Sequence, residues 1–125
     1  MTVLRGKLFF IMLHDDGDVR RPCVLKDTVH DGRRFFPIFT TRLKARDFTQ
    51  TLPQVPLPLV VEREHIGALV QSVYPMLAVL VEHGFEWISV DHPGTNVPSP
   101  AVLHLRLEDV MRLPHDTEEI NVQTD

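Results

Sequence analysis

The stretch from Leu57 to Gly94 constrains this chain more than any other. Leu57-Pro58-Leu59-Val60-Val61 is an apolar run of strand length that passes through Glu62-Arg63-Glu64 into a long amphipathic segment. There Ile66, Leu69, Val70, Val73, Leu77, Leu80 and Val81 recur at steps of three and four, the spacing that lines one face of a helix. Gly84 suits the left-handed position past a helix end, with His83 in the last turn. Pro75 removes a backbone donor, so the pattern predicts a kink near Val73 or two shorter helices. Phe85 to Val90 then reads as a second strand, closed by Asp91-His92-Pro93-Gly94. The unit is strand, helix, strand, with a buried face on which the remainder must pack.

Upstream, Lys7 to Leu13 and Phe35 to Phe39 are continuous apolar runs. Between them residues 19–30 alternate in character, and Asp16-Gly17 and Asp31-Gly32 supply turn chemistry at either end. Three strand signals separated by two turn signals predict an antiparallel meander. Pro22 and Pro37 belong at strand ends, bulges or unpaired edges. A two-residue turn at Asp31-Gly32 would set Asp27 against Phe36, so a bulge or longer loop is expected there. Thr40-Thr41 offers a helix N-cap, followed by Leu43, Ala45, Arg46 and Phe48 on the inner side of a short helix.

Downstream, His92 to Pro100 is rich in turn formers, Val102 to Leu107 can close the sheet, and Glu108 to Leu113 can add a helical turn or two. Past Pro114 the chain is polar and acidic. The expected architecture is a single α+β domain over residues 1–113: a mixed, mostly antiparallel sheet of five or six strands with two main helices on one face. Residues 114–125 are expected to form a disordered acidic tail.

At 125 residues with 43% hydrophobic content, the chain can bury one core without disulfide or metal support. No apolar run reaches the roughly 20 residues that span a bilayer, and the N-terminus lacks the pattern of a secretory signal. A cytoplasmic protein with no membrane partner is the expectation. The lone Cys23 cannot form an internal disulfide and reads as a small apolar strand residue. The net charge of −4 is unevenly spread: residues 1–50 carry ten Lys/Arg against six Asp/Glu, residues 51–125 three against eleven.

The succession of a first strand, an Asp-Gly hairpin, an aromatic strand running into Phe39-Thr40-Thr41, a short helix, a strand with a long helix, and a strand closed by Asp91-His92-Pro93-Gly94 resembles the SseB-like domain, the N-terminal domain family of SseB proteins. The resemblance covers roughly Lys7 to Gly94. In that family similar strands precede a Phe-Thr-Ser step, and an Asn-Pro-Gly closes the strand after the main helix. Here Thr41 stands where Ser is usual, which keeps the capping chemistry, and Asp91-His92 replaces the Asn, which brings in a titratable ring. The resemblance implies a small mixed α/β domain without established catalytic residues and with an interaction role.

The chemical inventory is thin. His14, His30, His65, His83, His92, His104 and His115 are scattered singly, and no His-x-x-x-His or Cys-x-x-Cys occurs. No metal or other cofactor is implied. No Gly-x-Ser-x-Gly elbow surrounds Ser72, Ser89 or Ser99, the glycines never cluster into a phosphate loop, and Asp91 and His92 as strand neighbours would point apart. The function expected is non-catalytic protein-protein association or self-association, homodimerisation included, with a partner the sequence does not identify, in a small bacterial-type cytoplasmic protein. It would act through a sheet edge or the surface around Thr40, Thr41, Asp91, His92, Gly94 and Asn96. A small-ligand site or enzyme using scattered His and Asp residues is one alternative. Weak nucleic-acid contact through Arg20, Arg21, Arg33, Arg34, Arg42 and Lys44 is another, disfavoured because the whole chain is acidic.

Overall fold

A computed structural model describes residues 2–15, 20–26, 32–53, 56–94 and 103–122. The Asp16-Gly17 turn, Asp31 and Asn96 lie outside the described residues. The elements run β1 (Thr2–Arg5), β2 (Leu8–His14), β3 (Arg20–Pro22), β4 (Leu25–Lys26), β5 (Arg34–Phe39), α1 (Arg42–Thr49), β6 (Leu57–Arg63), α2 (Ile66–Glu82), β7 (Trp87–Val90), β8 (Leu103–Arg106), α3 (Leu107–Met111) and β9 (Glu119–Val122). This is a mixed α+β domain with a mostly antiparallel sheet and two main helices. No helix among the described residues is long and apolar enough to cross a membrane.

The main sheet has seven strands rather than five or six, because the middle strand of the expected meander is two strands. Strands β2 and β5 pair directly and antiparallel at one end, Phe9 with Phe39 and Phe10 with Ile38. Toward the other end they part. Antiparallel β3 descends along β2, and β4 climbs along β5 with Leu25 opposite Phe35. The chain reverses at Cys23-Val24 in the fork, where the Cys23 N–H donates to the Ile11 carbonyl at 2.9 Å. Pro22 stands just before the reversal, where a strand can spare a donor. The observed register, Leu25 opposite Phe35, is three residues away from the one a two-residue turn at Asp31-Gly32 would set, and residues 27–31 of that connection lie outside the described residues.

Beyond the fork, β6 pairs antiparallel with the outer edge of β2, β7 pairs parallel with β5, and β8 pairs antiparallel with β7. These pairings make β5, β6 and β7 mutually parallel, so α2 is the crossover from one flank of the sheet to the other. It is one continuous helix, not two. Pro75 and Gln71, whose carbonyl the ring frees, are both exposed, so water can meet that carbonyl. At its end Gly84, with φ 84°, completes a Schellman pair: Phe85 N–H to Leu80 O and Gly84 N–H to Val81 O.

The two main helices lie on opposite faces of the sheet, not on one. Neighbouring strand residues point to opposite faces, and the core divides accordingly. Phe10, Phe36, Ile38 and Ile88 pack with the α2 face formed by Ile66, Leu69, Val70, Val73, Leu77 and Leu80. Phe9, Ile11, Cys23 and Phe39 pack with Ala45 and Phe48 of α1. Leu43, expected inside, is 65% exposed. The tail also departs from expectation, because Glu119–Val122 pairs with Thr2–Arg5 as a separate two-stranded ribbon. Alternation explains it: Leu4 and Val122 are buried, and half-buried Ile120 packs on the larger core.

Gly67 ties that C-terminal segment to the helix. Its N–H donates to Thr117 O at 2.9 Å, and a β-carbon there would meet the His115 carbonyl oxygen at 2.6 Å. Gly67→Ala is therefore expected to destabilise the fold by about 1–3 kcal/mol through overpacking, read as a lower urea midpoint in chemical unfolding.

Candidate functional site

Parallel β5 and β7 end side by side, and the residues that follow them meet. The Asp91 N–H donates to Ile38 O at 2.9 Å, which extends the ladder by one step. Asp91 then turns into the left-handed region at φ 55°, a conformation Asp tolerates better than most residues. Its carboxylate reaches back to β5: Oδ1 accepts the Thr40 N–H at 2.8 Å and Oδ2 the Thr40 hydroxyl at 2.7 Å. Lys44 Nζ lies 3.2 Å from the same Oδ2. Thr41 caps α1, its hydroxyl accepting the Lys44 N–H at 3.2 Å. One carboxylate thus staples the β7 end to the start of α1.

His92 follows and turns inward. Only 2% exposed, its ring stacks on Phe35 at 4.5 Å and meets Phe48 edge-on at 6.1 Å, while Nδ1 accepts the Gly94 N–H at 3.0 Å. A cavity of about 330 Å3 opens beside these groups, lined by Lys44, Asp47, Phe48, Asp91, His92 and Pro93. Of the residues the sequence singled out, the structure brings together Thr40, Thr41, Asp91, His92 and Gly94; Asn96 lies outside the described residues. The fold turns His92 and Gly94 into the interior, leaving Thr41 and Lys44 as exposed groups. Asp47 and Phe48 carried no signal beyond helical spacing.

The basic residues do not form one surface. Arg33 and Arg34 precede or begin β5, whereas Arg42 and Lys44 follow its far end, about 20 Å away at strand rise. Arg21 pairs with Asp15 at 2.8 Å and Arg42 with Glu62 at 3.2 Å. Phe35, Phe36 and Phe39 are fully buried and offer no face to a base. Trp87 meets two cations, with the Arg33 and Arg106 guanidinium carbons 4.5 and 4.9 Å from its ring centroid. Its cross-strand pairing with Arg106 was not legible before the β7 to β8 register was known.

Ser89 and His104 are cross-strand partners, but Ser89 is wholly buried and its Oγ has no hydrogen-bond partner among the described residues. A cavity of about 490 Å3 lies between β8, α3 and β9, where His104, Arg106 and Asp109 line it together with Leu105, Val110 and Ile120. Among the described residues no three His, Cys, Asp or Glu side chains gather where a metal ion could be held. Burial pushes the Cys23 thiol up to about 11, with Arg21 pulling weakly the other way, so the group is protonated and a poor nucleophile at neutral pH. Compared with known proteins, the chain matches no family model, no curated protein and no solved structure.

Two outcomes are expected. Asp91→Ala strands the Thr40 donors and puts a less tolerant residue at positive φ, a loss of about 1–3 kcal/mol; Asp91→Asn, which keeps an acceptor oxygen, should lose less in the same denaturant titration. The raised Cys23 thiol holds its proton in the folded chain after the unfolded chain has lost it. Its contribution to stability is therefore complete below about pH 9 and lost as pH rises toward 11. Unfolding free energy measured against pH should fall across that window by up to about 1.4 kcal/mol per unit from this group, and Cys23→Ala should make the fall shallower.

Proposed function

We propose that this chain is a non-catalytic protein-association module, working by self-association or by binding another protein, in a small cytoplasmic protein of bacterial type. The observation that carries the reading is apolar surface left uncovered on the α2 side of the sheet. Leu57 on β6 is 53% exposed, and Tyr74 and Val79 on α2 are 48% and 49% exposed. Between Glu64 and Glu82 no Asp, Glu, Lys or Arg occurs, so the outer face of α2 lacks the charges that usually solvate a surface helix. Large apolar side chains left exposed beside an uncharged helix face are candidate contact points. The Thr40 to Gly94 cluster supports the same reading by a different route: its polar groups are spent on holding β5, β7 and α1 together rather than aimed at a substrate. The likeness to SseB-like domains points the same way.

Light scattering across a dilution series, from about 1 μM to several hundred, tests the self-associating form. The mass is expected to climb from the 14.3 kDa of one chain toward twice that value. A mass that stays at 14.3 kDa throughout removes self-association and leaves binding to a different protein.

A further inference from the structure

The outer edge of β6 has a defined set of backbone groups on offer. Along an antiparallel strand, the N–H and C=O of successive residues point alternately to one neighbour and the other. On β2, Ile11 turns its carbonyl toward the β3 side, where it accepts the Cys23 N–H at 2.9 Å. Its neighbours Phe10 and Met12 therefore face β6, where they are opposite Val61 and Leu59. It follows that Leu57, Leu59, Val61 and Arg63 spend their backbone groups on β2, while Pro58, Val60 and Glu62 point theirs outward. Pro58, which has no N–H, stands where no ladder bond is lost. Among the described residues no strand pairs with this outer edge.

The outward groups are the carbonyls of Pro58, Val60 and Glu62 and the N–H groups of Val60 and Glu62. One of these is already engaged: Arg63 Nη1 donates to Glu62 O at 2.8 Å. What remains is two donors, Val60 and Glu62, and two acceptors, Pro58 and Val60. That set complements itself. Turned about a two-fold axis through Val60, each Val60 N–H meets the other copy's Val60 carbonyl, and each Glu62 N–H meets the other copy's Pro58 carbonyl. The donor that proline lacks falls opposite Glu62 O, which Arg63 already satisfies.

We infer that β6 is the edge by which two copies of this chain join, antiparallel and centred on Val60, so that the two sheets continue into one. The inference rests on the self-associating form of the proposed function and names its surface. Side chains agree with the register. On the α2 side Leu59 faces Val61 of the other copy, and exposed Leu57 faces Arg63, whose guanidinium already lies over the Phe10 ring at 5.7 Å from its centroid. A register centred one residue later, on Val61, would require Glu62 O to leave Arg63 for a Val60 N–H. It would also bring the two Glu62 carboxylates closer together, where like charges repel. An interface built this way is isologous, the form most homodimers take.

Val60→Pro tests the edge. The substitution removes an outward N–H while the donors of Leu59 and Val61 to β2 stay in place. The variant should keep its far-ultraviolet circular dichroism and associate about tenfold to hundredfold more weakly by light scattering. A second measurement stands if the proline disturbs the fold. A spin label at Leu57→Cys should report a pair separation near 20 Å, six residues of antiparallel offset; buried, protonated Cys23 does not compete for the label at neutral pH. Weakened association with a separation near 20 Å supports the inference. A Leu57→Cys dimer whose labels are separated by a distance clearly other than about 20 Å, or an association that Val60→Pro leaves equally tight, overturns this edge and leaves self-association standing. A chain that is monomeric at every concentration, or that accepts only a foreign strand at β6, overturns the inference; strict monomer behaviour also ends the self-associating form of the proposed function.

Discussion

The structure depends on one constraint, that β2 and β5 are covered on both faces. Leu-Phe-Phe-Ile-Met-Leu and Phe-Phe-Pro-Ile-Phe are apolar at consecutive positions, and a strand sends consecutive side chains to opposite sides. Burying Phe10 therefore demands a layer on one side and burying Phe9 a layer on the other. Helix α2 supplies the first and α1 the second. A fully buried Phe or Leu is worth about 1.5–3 kcal/mol relative to exposure, so leaving either face of these strands wet would cost more than a small domain can spare. The helices divide because the sheet has two oily sides, and the candidate site lies where α1 is fastened to the strand ends.

Fastening is the theme of that site. The parallel ends of β5 and β7 present a row of backbone donors and acceptors that would otherwise be lost at the sheet margin. Asp91 takes the Thr40 donors into its own carboxylate, and His92 fills the space between Phe35 and Phe48. The arrangement places a carboxylate, an imidazole, a lysine and a threonine within one small region, which in outline resembles a reactive centre. The carboxylate is held by the Thr40 donors, however, and the imidazole lies under the surface. The proposed association draws instead on the uncharged outside of α2 and the outer edge of β6.

Much of this was legible in the chain itself. The period of Ile66, Leu69, Val70, Val73, Leu77 and Leu80 depends only on helical geometry, and all six are buried. Thr41 as a cap and Gly84 as a terminator are local chemistry, resolved within a few residues. Consecutive apolar residues in β2 and β5 already implied layers on both sides of the sheet, a signal outweighed by the expectation that two helices share a face. His65 as the N-cap of α2, its Nδ1 accepting the Ala68 N–H at 3.0 Å, could not be read from cap preferences, because imidazole is not among the usual capping groups.

What sequence alone determined was set by interactions that span a turn or less: periodicity, caps, turn residues, and which segments are too apolar to stay wet. Tertiary structure decided everything that required two distant segments to meet. The reversal at Cys23 exists because β2 and β5 pair at one end and part at the other, and no local pattern records that divergence. Four residues, Glu119–Val122, are too short to hold a strand by propensity and become one only against Thr2–Arg5. Likewise Asp91 acquires its function as a staple only when the β7 end is delivered beside Thr40, 51 residues away in sequence. Propensity acts through neighbours along the chain, whereas register and pairing arise from the packing of separated segments.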